Sequence, residues 1–121
     1  CYYCNFHFST SLNNKDEFIK SIIKEIQLRK NELKKEKINT IYFGGGTPTL
    51  LDYKEINRIL DSVYENFNVL DDCEITIEAN PDDINELMLK HLSSNFNRIS
   101  IGIQSFFDNN LELMNRSHNS N

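Results

Sequence analysis

The sequence predicts an α/β protein of parallel βα units, and three observations predict it. Short β-rich runs, "TIYFGGGTP", "EITIEANP" and "RISIGIQSF", alternate with stretches of helical apolar spacing. The segments joining them are short and carry Gly, Pro, Asn and Asp. Within each β-rich run, isoleucine or phenylalanine alternates with polar or small residues.

The elements follow in order. Phe18, Ile19, Ile22, Ile23, Ile26 and Leu33 fall at helical spacing behind a capping-box pair, Asn14 and Glu17. Glu25 and Arg29 stand at i,i+4 on its wet face, and Lys34–Lys37 suits the negative end of its dipole. The first strand runs into three glycines. Asp52 with Glu55 caps a second helix carrying Ile56, Ile59, Leu60, Val63 and Phe67. "EITIEANP" is a strand stopped by Pro81, and Asp82 or Asp83 starts a third helix with Ile84, Leu87, Met88 and Leu92. "RISIGIQSF" is the third strand, and a fourth helix begins near Asp108.

The strand faces carry more information than the strand order. Ile41 and Phe43 oppose Thr40, Tyr42 and Gly44; Ile75 and Ile77 oppose Glu74, Thr76 and Glu78; Ile99, Ile101 and Ile103 oppose Ser100, Gly102 and Gln104. A strand buried on both faces reads as a continuous apolar run, and a filled barrel carries bulky branched residues inside. Isoleucines packed under helices, with polar or small residues opposite, predict an open barrel whose polar interior holds a ligand. An antiparallel sheet with one face in water is the rival.

Composition narrows the function classes. The 121 residues are 39% hydrophobic and 26% charged, as in a soluble globular domain or part of a larger one. A net charge of −5 argues against nucleic acid as a partner. No apolar run approaches the roughly 20 residues of a transmembrane segment. Three cysteines, two of them in Cys-x-x-Cys, fit a reduced compartment, so a cytoplasmic location is expected. A first residue other than Met and a polar close, "NRSHNSN", read as cuts at both ends.

Cys1-Tyr2-Tyr3-Cys4 puts two thiolates within reach of one ion or cluster, yet two alone satisfy neither tetrahedral zinc nor an iron–sulfur cube. Cys73 and His7 could complete a zinc site, but zinc explains neither the glycines nor the strand ends, and Cys73 reads as a small buried hydrophobe. "FGGGTP" lets a ligand approach the backbone and leaves amide N–H groups outward, or it is simply a tight strand-to-helix turn. It is no Walker loop, since Leu50 and Leu51 stand where a lysine would. Glu78 and Gln104 end strands, where α/β folds bind ligands, although a solvated strand end fits Glu78 equally.

Taken together, Cys-x-x-Cys-Asn-Phe, "YFGGGTPTLL", "EITIEANP", "RISIGIQSF" and "LMNRSHN" resemble, in order and spacing, the radical S-adenosylmethionine (radical SAM) enzymes. The resemblance is closest to the oxygen-independent coproporphyrinogen III oxidase-like group, the heme chaperone HemW family. It implies a partial (β/α) radical SAM barrel, with residues 1–121 part of a single core domain lacking its first strand and later units. The family motif is Cys-x-x-x-Cys-x-x-Cys. Cys1 and Cys4 are then its second and third cysteines, and the first is expected four residues ahead of Cys1. The implied cofactors are a [4Fe–4S] cluster held by three thiolates and S-adenosylmethionine at its open iron, with heme as a further ligand.

By position, the resemblance makes Tyr3 the aromatic flanking S-adenosylmethionine. Gly44, Gly45, Gly46 and Thr47 become the turn at its methionyl end, and Glu78, Gln104 and Arg116 its polar contacts. Implied partners are heme or porphyrin, an electron donor such as flavodoxin or ferredoxin, and a heme-acceptor protein. No catalytic residue is implied, and His91 and His118 receive no role. Two activities stand open: heme delivery, or oxidative decarboxylation of coproporphyrinogen III. Phe6 stands where the oxidases carry another cysteine, which favours the chaperone branch. That branch's His-Asn-x-x-Tyr-Trp motif is expected beyond Asn121, because His118-Asn119 is followed by Ser120 and Asn121.

Overall fold

Asp52 and Glu55 start the helix around which the core is built. The Asp52 carboxylate accepts the Glu55 N–H at 2.9 Å and the Glu55 carboxylate accepts the Asp52 N–H at 2.7 Å, satisfying two amide donors that a helix start leaves unpaired. The resulting helix, α2 (Tyr53–Asn66), buries Ile56, Ile59 and Leu60. Asp52→Ala is expected to lower stability by about 1 kcal/mol, read as a shift of the urea midpoint with the slope unchanged; an unshifted midpoint would contradict the cap's role.

The structure, a computed structural model, describes residues 1–5, 11–33 and 36–120. Helix α1 (Lys15–Arg29) precedes strand β1 (Lys37–Phe43); a 3₁₀ turn (Pro48–Leu50) leads to α2, followed by β2 (Asn68–Ala79). A second 3₁₀ turn (Pro81–Asp83), α3 (Glu86–Leu92), β3 (Arg98–Ile101) and α4 (Asp108–Leu113) complete the order. Among the described residues the strands form one sheet in the order β1-β2-β3, and both pairings are parallel. The antiparallel rival is thereby excluded. No helix among the described residues is long and apolar enough to cross a membrane.

The helix-facing side is the core. Ile75, Ile77 and Cys73 of β2 pack with Ile56 and Leu60 of α2, Leu92 of α3 and Phe96. Phe43 and Phe96 meet edge to face, 5.2 Å between ring centres, a favoured aromatic geometry. Cys73 is buried there, and desolvation raises its thiol pKa, as expected of a small hydrophobe. On the opposite face Thr40, Tyr42 and Glu74 are exposed. Thr76 is fully buried on that side, because its hydroxyl donates to Glu74 (3.0 Å) and accepts from Arg98 (3.3 Å), whose side chains cover it.

Several expectations need correction. Asn14 precedes α1 but makes no side-chain cap; its φ of −100° and ψ of 12° are not the extended geometry a capping residue uses. Helix α1 ends at Arg29, which pairs with Glu25 and Glu32, so Leu33 lies beyond it, and Phe18 is exposed. Lys34 and Lys35 lie outside the described residues, and Lys37 opens β1 rather than closing a helix. The third helix starts from Asn85, whose side chain accepts the Met88 N–H at 2.9 Å, not from Asp82 or Asp83. Strand β3 ends at Ile101, so Ile103 and Gln104 stand past it.

Candidate functional site

The carboxyl ends of the parallel strands gather most of the candidate residues on neighbouring segments. After β1 the chain turns through Gly44, Gly45 and Gly46. Gly45 and Gly46 adopt φ of +78° and +58°, a left-handed conformation open to glycine without the usual steric cost. A Cβ on either would meet nothing within 4 Å, so the turn opens onto free space from which a ligand can reach backbone. Gly44 is different: a Cβ there would stand 2.7 Å from Cε1 of Tyr42.

Glu78, next to last in β2, braces this turn. Its Oε2 accepts the Gly45 N–H at 3.0 Å and its Oε1 accepts the Tyr42 hydroxyl at 2.7 Å. That hydrogen bond is the main reason the Tyr42 phenol pKa is raised, with desolvation second.

Arg116 organises the other half. Its guanidinium donates to the Gly102 carbonyl (2.8 Å), to Asn80 Oδ1 (3.4 Å) and to the Cys1 sulfur (3.1 Å). Its Nε is buried without a protein partner, so a donor remains for an acceptor such as a carboxylate. The Cys1–Cys4 segment is held nearby by the Tyr2 N–H to the Met114 carbonyl (3.1 Å), and the Cys4 N–H closes a turn on the Cys1 carbonyl (3.4 Å). Both thiols are free and exposed, and Tyr3 is half-exposed between them.

Asn80 joins the two halves: while Oδ1 accepts from Arg116, Nδ2 donates to Thr47 Oγ1 at 3.4 Å. Sequence reasoning passed over Asn80 and Tyr42. Asn80 had a signal, since it stands between the strand end and Pro81; Tyr42 had one in its alternation onto the polar face with Gly44.

Gln104 comes near through an unusual path. The Ile103 N–H bonds the Ile101 carbonyl (3.0 Å) and the Ser105 N–H bonds the Ile103 carbonyl (2.9 Å), two successive γ-turns. Gln104 is central to the second with φ +69°, strained backbone of the kind that collects at ligand sites. His118 bonds the Ile103 carbonyl through Nε2 (3.0 Å). Phe6, His7 and Phe8 lie outside the described residues.

The donor set can be tested against the implied groups. Two thiols on one turn suit an iron–sulfur cluster, and among the described residues no group of three His, Cys, Asp or Glu could hold a metal ion. Cys1 and Cys4 therefore fit two thiolate positions and need a third. Zinc held by Cys1, Cys4 and Cys73 does not fit, because Cys73 is in the core. The open glycine turn and the unpartnered Arg116 Nε fit a ligand bearing a carboxylate.

The pattern of the radical SAM superfamily matches residues 1–121. The chain is 38% identical over 120 residues to the heme chaperone HemW of Lactococcus lactis, covering 98% of this chain and 31% of that protein. It is 34% identical over 119 residues to the oxygen-independent coproporphyrinogen III oxidase of Salmonella typhimurium, covering 96% and 26%. Among solved structures it superposes on coproporphyrinogen III oxidase (HemN) of Escherichia coli, a radical SAM enzyme, with a TM-score of 0.87 at 33% identity, covering 98% of this chain and 28% of that one. The chain thus spans about a third of the length of such relatives, and its βα units are those of a partial radical SAM (β/α) fold. Membership implies a [4Fe–4S] cluster and S-adenosylmethionine as the groups such a site serves. With the family pattern matched from the first residue to the last, the chain belongs to the radical SAM superfamily.

Proposed function

We propose that the full-length protein is a heme chaperone of the radical SAM type, binding a [4Fe–4S] cluster and S-adenosylmethionine and handing heme to an acceptor protein. The observation that carries the cofactor reading is the free, exposed thiol pair of Cys1 and Cys4 beside the Arg116 guanidinium. Cys1 and Cys4 would hold the cluster with a third thiolate from outside these 121 residues. When bound, the cluster supplies a low-potential electron, drawn from a donor such as flavodoxin or ferredoxin, that splits the sulfonium of S-adenosylmethionine.

The chain's own residues would bind and orient. Arg116 would take the carboxylate of the ligand, using donors that Gly102, Asn80 and Cys1 leave free. Gly44, Gly45, Gly46 and Thr47 would present backbone groups to its methionyl end. Glu78 and Gln104 would hold polar groups of the nucleoside, and Tyr3 would lie against it.

The chaperone reading is supported by the 38% identity to HemW and by Phe6 in place of a cysteine. The second reading, oxidative decarboxylation of coproporphyrinogen III, is favoured by the structural match to HemN. Anaerobically reconstituted full-length protein, given coproporphyrinogen III or heme, separates them. Stable heme uptake without protoporphyrinogen formation is expected; protoporphyrinogen formation would reject the chaperone reading.

A further inference from the structure

Each oxygen of the Glu78 carboxylate accepts one hydrogen bond from within the protein. Tyr42 on β1 and Gly45 in the glycine turn each claim one, at 2.7 and 3.0 Å. Ser100 of β3 pairs with Glu78 in the ladder. A hydrogen-bonded line therefore runs from Tyr42 on β1 through Glu78 on β2 to the turn. Two neighbouring facts belong to it. Tyr42 and Gly44 share a face by strand alternation, and the Tyr42 ring occupies the space a side chain at Gly44 would need. The raised phenol pKa keeps Tyr42 a donor through neutral and mildly alkaline pH.

A carboxylate has about four lone-pair acceptor sites. Tyr42 and Gly45 use one on each oxygen, which leaves an acceptor on each for hydroxyl or ammonium donors of a ligand. With both oxygens tied, turning the carboxylate plane breaks at least one of these hydrogen bonds. With the Tyr42 hydroxyl gone, a single tether remains, and Glu78 can swing away from Gly45.

We propose that Tyr42 is a positioning residue: its hydroxyl orients Glu78 so that one carboxylate both secures the glycine turn and offers its remaining acceptors to the nucleoside ligand. This rests on the reading of Glu78 as a contact to S-adenosylmethionine. It makes the turn's shape depend on a side chain two residues upstream, and it fits glycine at position 44, where a Cβ would crowd the Tyr42 ring.

The test uses the full-length protein with its cluster oxidised, so that S-adenosylmethionine binds without turnover. Tyr42→Phe, Glu78→Gln and the double variant are compared for S-adenosylmethionine affinity and for hydrogen exchange of the segment containing Gly45. Tyr42→Phe is expected to melt as the unsubstituted protein does, to exchange faster at Gly45, and to bind about three- to tenfold more weakly. In the Glu78→Gln background the same change is expected to have little further effect, because Tyr42 acts through Glu78. Unaltered exchange in Tyr42→Phe would overturn the positioning role, as would a lowered melting temperature with unaltered affinity. Losses that multiply fully in the double variant would overturn it too, since Tyr42 would then act independently of Glu78. Failure of the underlying reading looks different: Glu78→Gln would leave S-adenosylmethionine affinity unchanged while Tyr42→Phe still speeds exchange at Gly45.

Discussion

Cys4→Ala in the full-length protein, reconstituted with iron and sulfide without oxygen, is expected to lose the visible absorption of an iron–sulfur cluster entirely, and Cys1→Ala likewise. The size of the effect follows from the donor count. A cube held by three thiolates keeps only two after either change, and no nearby group among the described residues makes up the loss. Cys73→Ala is the internal comparison. Cys73 belongs to the core cluster that includes Ile56, Leu60 and Ile75, so the substitution is expected to cost about 1 kcal/mol of stability and leave absorption intact. Full absorption in the Cys4 variant would remove that thiol from the ligand set.

The largest expected loss of stability is at Ile77. It is fully buried in the central strand, paired with Phe43 on one side and Ile99 on the other, and it faces the helices. Ile77→Ala removes three carbons from a site walled by two strands and has little room to collapse, so a loss of about 2–5 kcal/mol is expected. That is a large share of the ~5–15 kcal/mol that holds a domain folded. A urea titration of the full-length variant would show an earlier midpoint for this domain, and an unshifted midpoint would contradict the packing described. Because Ile77 points away from the polar face, the variant that remains folded is expected to bind S-adenosylmethionine normally.

Much of what could be read from the sequence was set locally, and much of what could not was set by distant partners. The Asp52–Glu55 box works because both groups lie within one turn. The alternation of Ile75 and Ile77 with Thr76 and Glu78 gave the correct face for each, since period two is a property of the strand itself. Asp82 and Asp83 look like helix caps by residue type, but Ser117 donates to Asp82 (2.6 Å) and Thr49 to Asp83 (2.7 Å). Those hydroxyls lie 35 and 34 residues away, and nothing near Pro81 announces them. The first half of β2 was hidden for another reason. Pairing steps from Ile38↔Val69 to Thr40↔Glu74, so β2 bulges through Asp71 and Asp72, residues a strand ordinarily avoids.

The candidate site was legible as residues gathered at one end of the sheet and not as a set of contacts. The glycine turn, Glu78, Gln104 and Arg116 were placed by motif, yet the link from Arg116 to Cys1 joins residues 115 positions apart. Tyr42 carried only its alternation, and its bond to Glu78 depends on the register that sets β1 beside β2.

The strand order has a consequence for how the chain is made. Strands begin at Lys37, Asn68 and Arg98, which are 31 and 30 residues apart, and each lies beside the one synthesised just before it. A ribosome adding about 5–20 residues per second delivers a new strand roughly every two to six seconds. Each arriving strand finds its neighbour already emerged, so the sheet can lengthen in the direction of translation without waiting for anything downstream.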